Sequence, residues 1–106
     1  MKHHRLEDMT GGWFVGDFSP CASRSPEVEV GVKRYPAGAT EKKHFHKVAT
    51  ELTLIVSGTV RMFDRVWEAG DIITVEPGEA TAFEALSDAI TVVVKTPSVP
   101  SDKYLA

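Results

Sequence analysis

The sequence predicts an all-β domain, a sandwich or barrel of short strands, and three observations support this. About nine runs rich in β-branched and aromatic residues follow one another, with turn signals every 6–12 residues. No window of 11 residues sustains apolar i, i+3, i+4 spacing between strong caps. A chain of 106 residues with 42% hydrophobic side chains is long enough for one core and too short for a second domain.

Trp13–Phe18 is a short aromatic run between Gly11-Gly12 and Ser19-Pro20. Ser19–Pro26, with two prolines and three serines, reads as a loop. In Val28–Tyr35, Val28, Val30 and Val32 share one side, with Glu29, Gly31 and Lys33 on the other. Pro36-Ala37-Gly38 breaks that strand, and Thr40–His46 and Glu51–Val56 follow. Ser57-Gly58 reads as a tight hairpin turn into Thr59–Phe63. Asp64-Arg65 then turns into Val66–Glu68, and Ala69-Gly70-Asp71 into Ile72–Val75. Glu76-Pro77-Gly78-Glu79 precedes Thr81–Leu86, and Ser87-Asp88 leads into Ala89–Lys95. Pro97 and Pro100 end the regular structure, and the best helical candidate, His3–Met9, is short and polar. The tail from Lys95 to Tyr104 packs back on the barrel through Val99 and Tyr104, or across a dimer; the sequence leaves both open.

With 12 basic and 15 acidic side chains the formal charge is -3, which argues against nucleic acid as the main partner. The apolar run Ala89–Val94 is far shorter than a membrane span. Met1–Thr10 lacks the pattern of a secretory signal. The single cysteine, Cys21, allows no internal disulfide and no thiolate-rich zinc site, so a cytoplasmic setting is expected.

The chemistry concentrates at His44, His46 and Glu51. Side chains at i and i+2 of a strand point the same way, with Cα atoms about 6.6 Å apart, so His44 and His46 can converge on one cation. Glu51 comes five positions after His46, an odd offset, so the chain must reverse or bulge for it to join them. A hairpin opening at Glu51 would do this, although Lys47-Val48-Ala49-Thr50 carries no Gly, Pro, Asn or Asp. Two imidazoles and one carboxylate suit Fe(II), Mn(II), Ni(II) or Zn(II), with positions left open for water or substrate. The alternative is a pair of partly exposed strand histidines.

Gly38, five residues, His44, one residue, His46, four residues, Glu51, six residues, Gly58: this array resembles the first motif of the cupins. Gly70-Asp71, Ile72–Val75 and Pro77-Gly78 resemble the opening of the second, in which Thr81 stands where a further histidine is usual. The resemblance covers roughly residues 27–95. It implies a double-stranded β-helix, or jelly-roll, barrel of the cupin type, with the site inside. Over 1–106 it implies a single domain with an N-terminal strand at 13–18 and a C-terminal tail at 96–106. By the same resemblance His44, His46 and Glu51 are metal ligands. Either a three-ligand site survives with water in the position vacated at Thr81, or the histidines act without metal as acid/base or hydrogen-bonding groups.

Thr81 and Phe83 share a face and are candidate pocket residues; so is Arg61, which shares a face with Phe63. In the last strand Thr91, Val93 and Lys95 share a face, and an inward Lys95 would meet an anionic ligand. The functional expectation is a cupin barrel holding a divalent metal and a small oxygen-rich ligand, a sugar or an organic acid. An isomerase or dioxygenase fits, as does a metal-free binding module for a sugar or nucleotide sugar, or an epimerase-like enzyme with a histidine base. The resemblance also implies a homodimer.

Overall fold

The computed structural model describes the whole chain, Met1–Ala106. Eleven strands form two facing sheets. One is six-stranded, made of β1 (Trp13–Gly16), β2 (Ser23–Arg24), β3 (Glu29–Tyr35), β5 (Thr50–Ser57), β8 (Ile72–Val75) and β10 (Ala89–Thr96), in the order β2-β1-β3-β10-β5-β8. The other holds β4 (Thr40–Phe45), β6 (Thr59–Met62), β7 (Arg65–Glu68), β9 (Thr81–Ala85) and β11 (Tyr104–Leu105), in the order β11-β4-β9-β6-β7. This is an all-β jelly-roll barrel, as expected.

Several local readings change. The candidate helix at His3–Met9 is only a 3₁₀ turn at Leu6–Asp8, followed by another at Thr10–Gly12. The first strand stops at Gly16, and regular structure resumes beyond Pro100 because β11 pairs with β4 at Phe45 and His44. The tail therefore packs on its own barrel.

The turn expected at Ser57-Gly58 is not a hairpin, because β5 and β6 lie in opposite sheets. Gly58 carries the chain across the barrel wall at φ +84°, and a Cβ there would sit 2.1 Å from the Asp88 carbonyl oxygen. The true hairpin turn is one residue earlier than Asp64-Arg65: Phe63 and Asp64 both have positive φ, and Met62 pairs with Arg65. Two central residues of that kind match the right-handed twist of the flanking strands.

The interior has two ends. One is an apolar core of Ile55, Val60, Met62, Ile73, Val75, Phe83, Ala85 and Ala89. The other is polar, and β3 turns its polar side toward it: Glu29 and Gly31 are buried while Val30 and Val32 face outward, half-buried. Register carries the same choice across the sheet. Val32, Val92, Leu54 and Ile72 line up on the outer face, with Val30, Val94 and Leu52 beside them. A strand whose valines face out signals that something polar is required inside.

Candidate functional site

The polar end is built by β3, β4, β5 and β10. The loop from β4 to β5 is not a hairpin, since the two strands belong to different sheets. Glu51 reaches the histidines across the barrel from the opposite sheet. The loop that allows this has no turn residues because its turn chemistry is remote. The Asp102 carboxylate accepts the backbone N–H groups of Lys47, Val48 and Ala49 at 2.8, 3.0 and 2.9 Å. Burial works against that charge, but the three donors more than offset it and hold the carboxyl below its ordinary range.

The tail also fixes an imidazole. His46 Nδ1 contacts the Asp102 backbone carbonyl, and His44 Nδ1 lies 2.9 Å from the Lys42 carbonyl. A carbonyl only accepts, so both Nδ1 atoms carry a proton, and in the neutral rings both Nε2 atoms present a lone pair. The rings meet edge to face, with centroids 5.4 Å apart. His46 is 3% exposed, and its Nε2 is buried with no hydrogen-bond partner. The nearest charge is Glu51 Oε1 at 3.7 Å, an ion-pair distance too long for a hydrogen bond. The Glu51 carboxylate draws the His46 pKa upward against the pull of burial, and the Asp102 carbonyl adds to the rise. Burial pushes Glu51 up, but His46, Lys95 and His44 outweigh it, and its pKa ends below the ordinary value.

His44, His46 and Glu51 therefore line one chamber, which has a volume of about 40 Å³. That is room for an ion and a water or two. The trio does not stand as a closed cage, and no cluster of three or more His, Cys, Asp or Glu side chains has metal-binding spacing. What fits a cation is the orphaned Nε2 of His46, the free lone pair of His44 and a carboxylate facing both.

Thr81 pairs in register with His44 and lines the chamber, but its hydroxyl is committed to the backbone. Its Oγ1 accepts the Phe63 N–H at 2.8 Å and donates to the Ala82 carbonyl at 2.7 Å. Phe83 is at once core and chamber wall, its ring 4.4 Å from Tyr35. Arg61 does not reach the chamber. On β6 the inward residues are Val60 and Met62, and the Arg61 guanidinium pairs on the outer face with Glu84 at 3.2 Å. Phe63 lies past the end of β6, where the chain has already entered the positive-φ turn.

Other site residues went unrecognised in the sequence. A register shift in β4 between Glu41 and His44 brings Glu41 inward at an odd offset. Its carboxylate accepts the Tyr35 hydroxyl at 2.5 Å. Burial, then Glu41, pushes the Tyr35 pKa far up, so the phenol stays protonated. Thr91 is buried with an unpartnered Oγ1. Only Tyr35 and Thr91 could have been found by alternation, once the inward face of their strands was known.

The chamber opens into a wider mouth of about 370 Å³, lined by Trp13, Lys33, Lys95 and Lys103 as well as Glu41, His44 and Glu51. Lys95 thus turns inward.

No family model matches the chain, and neither does any curated relative. Solved structures do match. A Klebsiella pneumoniae protein with a double-stranded β-helix domain superposes with a TM-score of 0.71 at 21% identity, covering 77% of this chain and 72% of that one. An RmlC-like cupin from Shewanella frigidimarina gives 0.64 at 20% identity, covering 71% and 70%. A cupin-superfamily sugar phosphate isomerase from Silicibacter pomeroyi gives 0.65 at 20% identity, covering 76% and 57%. The architecture of this chain is the double-stranded β-helix, the fold of these cupin structures.

Proposed function

We propose that the chamber holds a divalent transition metal, Fe, Mn, Ni or Zn, through His44, His46 and Glu51, and that a small oxygen-rich ligand, a sugar or an organic acid, sits beside it in the mouth. The observation that carries this reading is the buried, unpartnered Nε2 of His46 facing Glu51. An orphaned buried lone pair costs about 1–3 kcal/mol, and a cation would satisfy it together with the carboxylate. Such an ion would polarise a ligand oxygen or supply redox chemistry. The chain's own part is to present lone pairs from two locked imidazoles and to offer the Tyr35 hydroxyl and the Thr91 Oγ1 as polar contacts. The volumes divide the labour: the chamber takes an ion, and only the mouth accommodates a ligand of several atoms. Isomerase and dioxygenase chemistry both suit this arrangement, and a solved neighbour of the same fold is a sugar phosphate isomerase.

A second reading is favoured by the engaged hydroxyl of Thr81 and the open spacing of the trio. In it the barrel binds a sugar or nucleotide sugar without metal, and His46, charged against Glu51, acts as the acid or base. Metal analysis of protein purified without a histidine tag separates the two. The first reading predicts near-stoichiometric transition metal in the wild type, sharply reduced in His46→Ala. Metal-free wild type with no thermal shift on adding divalent ions would leave only the second.

We further propose a homodimer in a cytoplasmic setting, and no helix here is long and apolar enough to cross a membrane. The outer face of the six-stranded sheet supports the dimer: Leu52 and Ile72 are 38% and 64% exposed there, continuous with Val30, Val32, Leu54, Val92 and Val94. A contiguous exposed apolar patch is a mark of an interaction surface. A Leu52→Glu/Ile72→Glu double variant should be monomeric by light scattering where the wild type is a dimer. A wild-type monomer at high concentration would remove the idea.

A further inference from the structure

The mouth carries a charge arrangement that the metal trio does not explain. Register on the inner face places Lys95 of β10 between Glu29 of β3 and Glu51 of β5, and Lys33 opposite Thr91. Between the two lysines lies Gly31, which pairs with Trp13 of β1. A Cβ on Gly31 would come within 2.7 Å of the indole, so any side chain there would push the ring out of its place. The ring then receives both ammonium groups, Lys33 Nζ at 5.6 Å and Lys95 Nζ at 5.0 Å from its centroid. An indole holds a cation in place without neutralising it.

The carboxylates that share the mouth are engaged elsewhere. Glu29 accepts the Ser98 hydroxyl at 2.9 Å, Glu41 the Tyr35 hydroxyl at 2.5 Å, and Glu51 faces His46. None of the ion pairs in the molecule includes Lys33 or Lys95. Lys33 donates to the Gly11 carbonyl at 2.7 Å, a neutral partner. Burial pushes its pKa down, Glu41 draws it up, and Lys103 and Lys95 push it down again. Two cations are thus held side by side in a cleft of an acidic protein, influenced by the carboxylates around them but with none within ion-pair distance.

We propose that this is an anion subsite: Lys33 and Lys95, held over the Trp13 indole, take the carboxylate of a small organic acid whose other end reaches toward His44, His46 and Glu51. The inference rests on the ligand-binding reading above and narrows it, selecting the acid over the neutral sugar. A singly charged carboxylate suits the subsite better than a phosphate, because Glu29, Glu41 and Glu51 line the same mouth and repel a dianion more strongly. Trp13, on a strand outside the barrel core, becomes part of the ligand site.

The test uses lactate, its neutral match lactamide and inorganic phosphate, each titrated while the Trp13 indole N–H signal is followed by NMR. Lactate should shift that signal and lactamide should not. Lys95→Met and Lys33→Met should each weaken lactate binding at least tenfold, with Lys95→Arg retaining it and melting temperatures confirming that the variants fold. Lactate bound equally by Lys95→Met, or lactamide bound as well as lactate, would overturn the subsite. Phosphate bound more tightly than lactate would overturn the carboxylate assignment. Metal uptake, measured on the same samples, keeps the two readings apart. Lysine-dependent lactate binding without metal removes the metal and leaves the subsite. Metal uptake without lactate binding does the reverse.

Discussion

Replacing Asp102 with alanine should lower stability by about 2–4 kcal/mol and disrupt the proposed ion site along with it. The Ala49 N–H, which the carboxylate accepts in a buried setting, would be left with no route to water; those of Lys47 and Val48 are only partly shielded and partly rehydrate. For a domain of this size that corresponds to a fall in melting temperature of roughly 10 °C or more. The same substitution frees the β4–β5 loop, so Glu51 is no longer fixed against His46, and the imidazole loses the firm placement of its Nδ1 partner. Asp102→Asn keeps one acceptor and should fall between the two. Acid behaviour follows from the direction of the pKa change. The folded carboxyl titrates below its ordinary 3.8, so its contribution is fully present above that pH and is lost as the pH falls through the lower folded value. The stability gap between wild type and Asp102→Ala should therefore close in strong acid and stay constant above about pH 5. A variant that melts with the wild type at neutral pH would show that the tail does not anchor the loop.

Gly58→Ala should be at least as damaging, by more than about 3 kcal/mol, for a reason unrelated to the site. Its φ of +84° disfavours any L side chain, and the added methyl would meet the Asp88 carbonyl oxygen at 2.1 Å and the Ala89 Cα at 2.8 Å. Both obstacles are backbone atoms of the segment that opens β10, so neither can rotate away. The expected readout is a chain that is largely unfolded or recovered only in aggregates. Gly38→Ala, also at positive φ but with nothing within 4 Å, should cost only the conformational strain of about 1–2 kcal/mol. Equal melting of the two variants would mean that the crossing at Gly58 is looser than described.

Asp102 and Gly58 mark where the sequence was not legible. The fold was readable because alternation and turn residues are local signals, repeated in nearly every strand. That His44, His46 and Glu51 share one chamber was readable because they lie within eight positions and their spacing has geometric consequences. The anchoring of the loop between them was not, because its capping carboxylate comes from Asp102, 53 residues beyond Ala49. Nor was the direction of Val28–Tyr35, since alternation assigns two faces without saying which is inside. The lure of the valines hid Lys33 and Tyr35. Gly58 read as a hairpin because a glycine that carries a chain between sheets looks, locally, like one that reverses it. Arg61 misled for a similar reason: the turn after Met62 begins at Phe63, and the outward face of β6 belongs to the arginine.

In the proposed site one cation is held jointly by two imidazoles and a carboxylate inside the barrel. Anomalous diffraction from crystals grown with Mn(II), recorded for wild type and His46→Ala, tests it most directly. A single strong peak is expected within bonding distance of His44 Nε2, His46 Nε2 and Glu51, absent in the variant. A wild-type chamber with no peak at saturating Mn(II), or an ion held instead by the exposed His3 and His4, would contradict it.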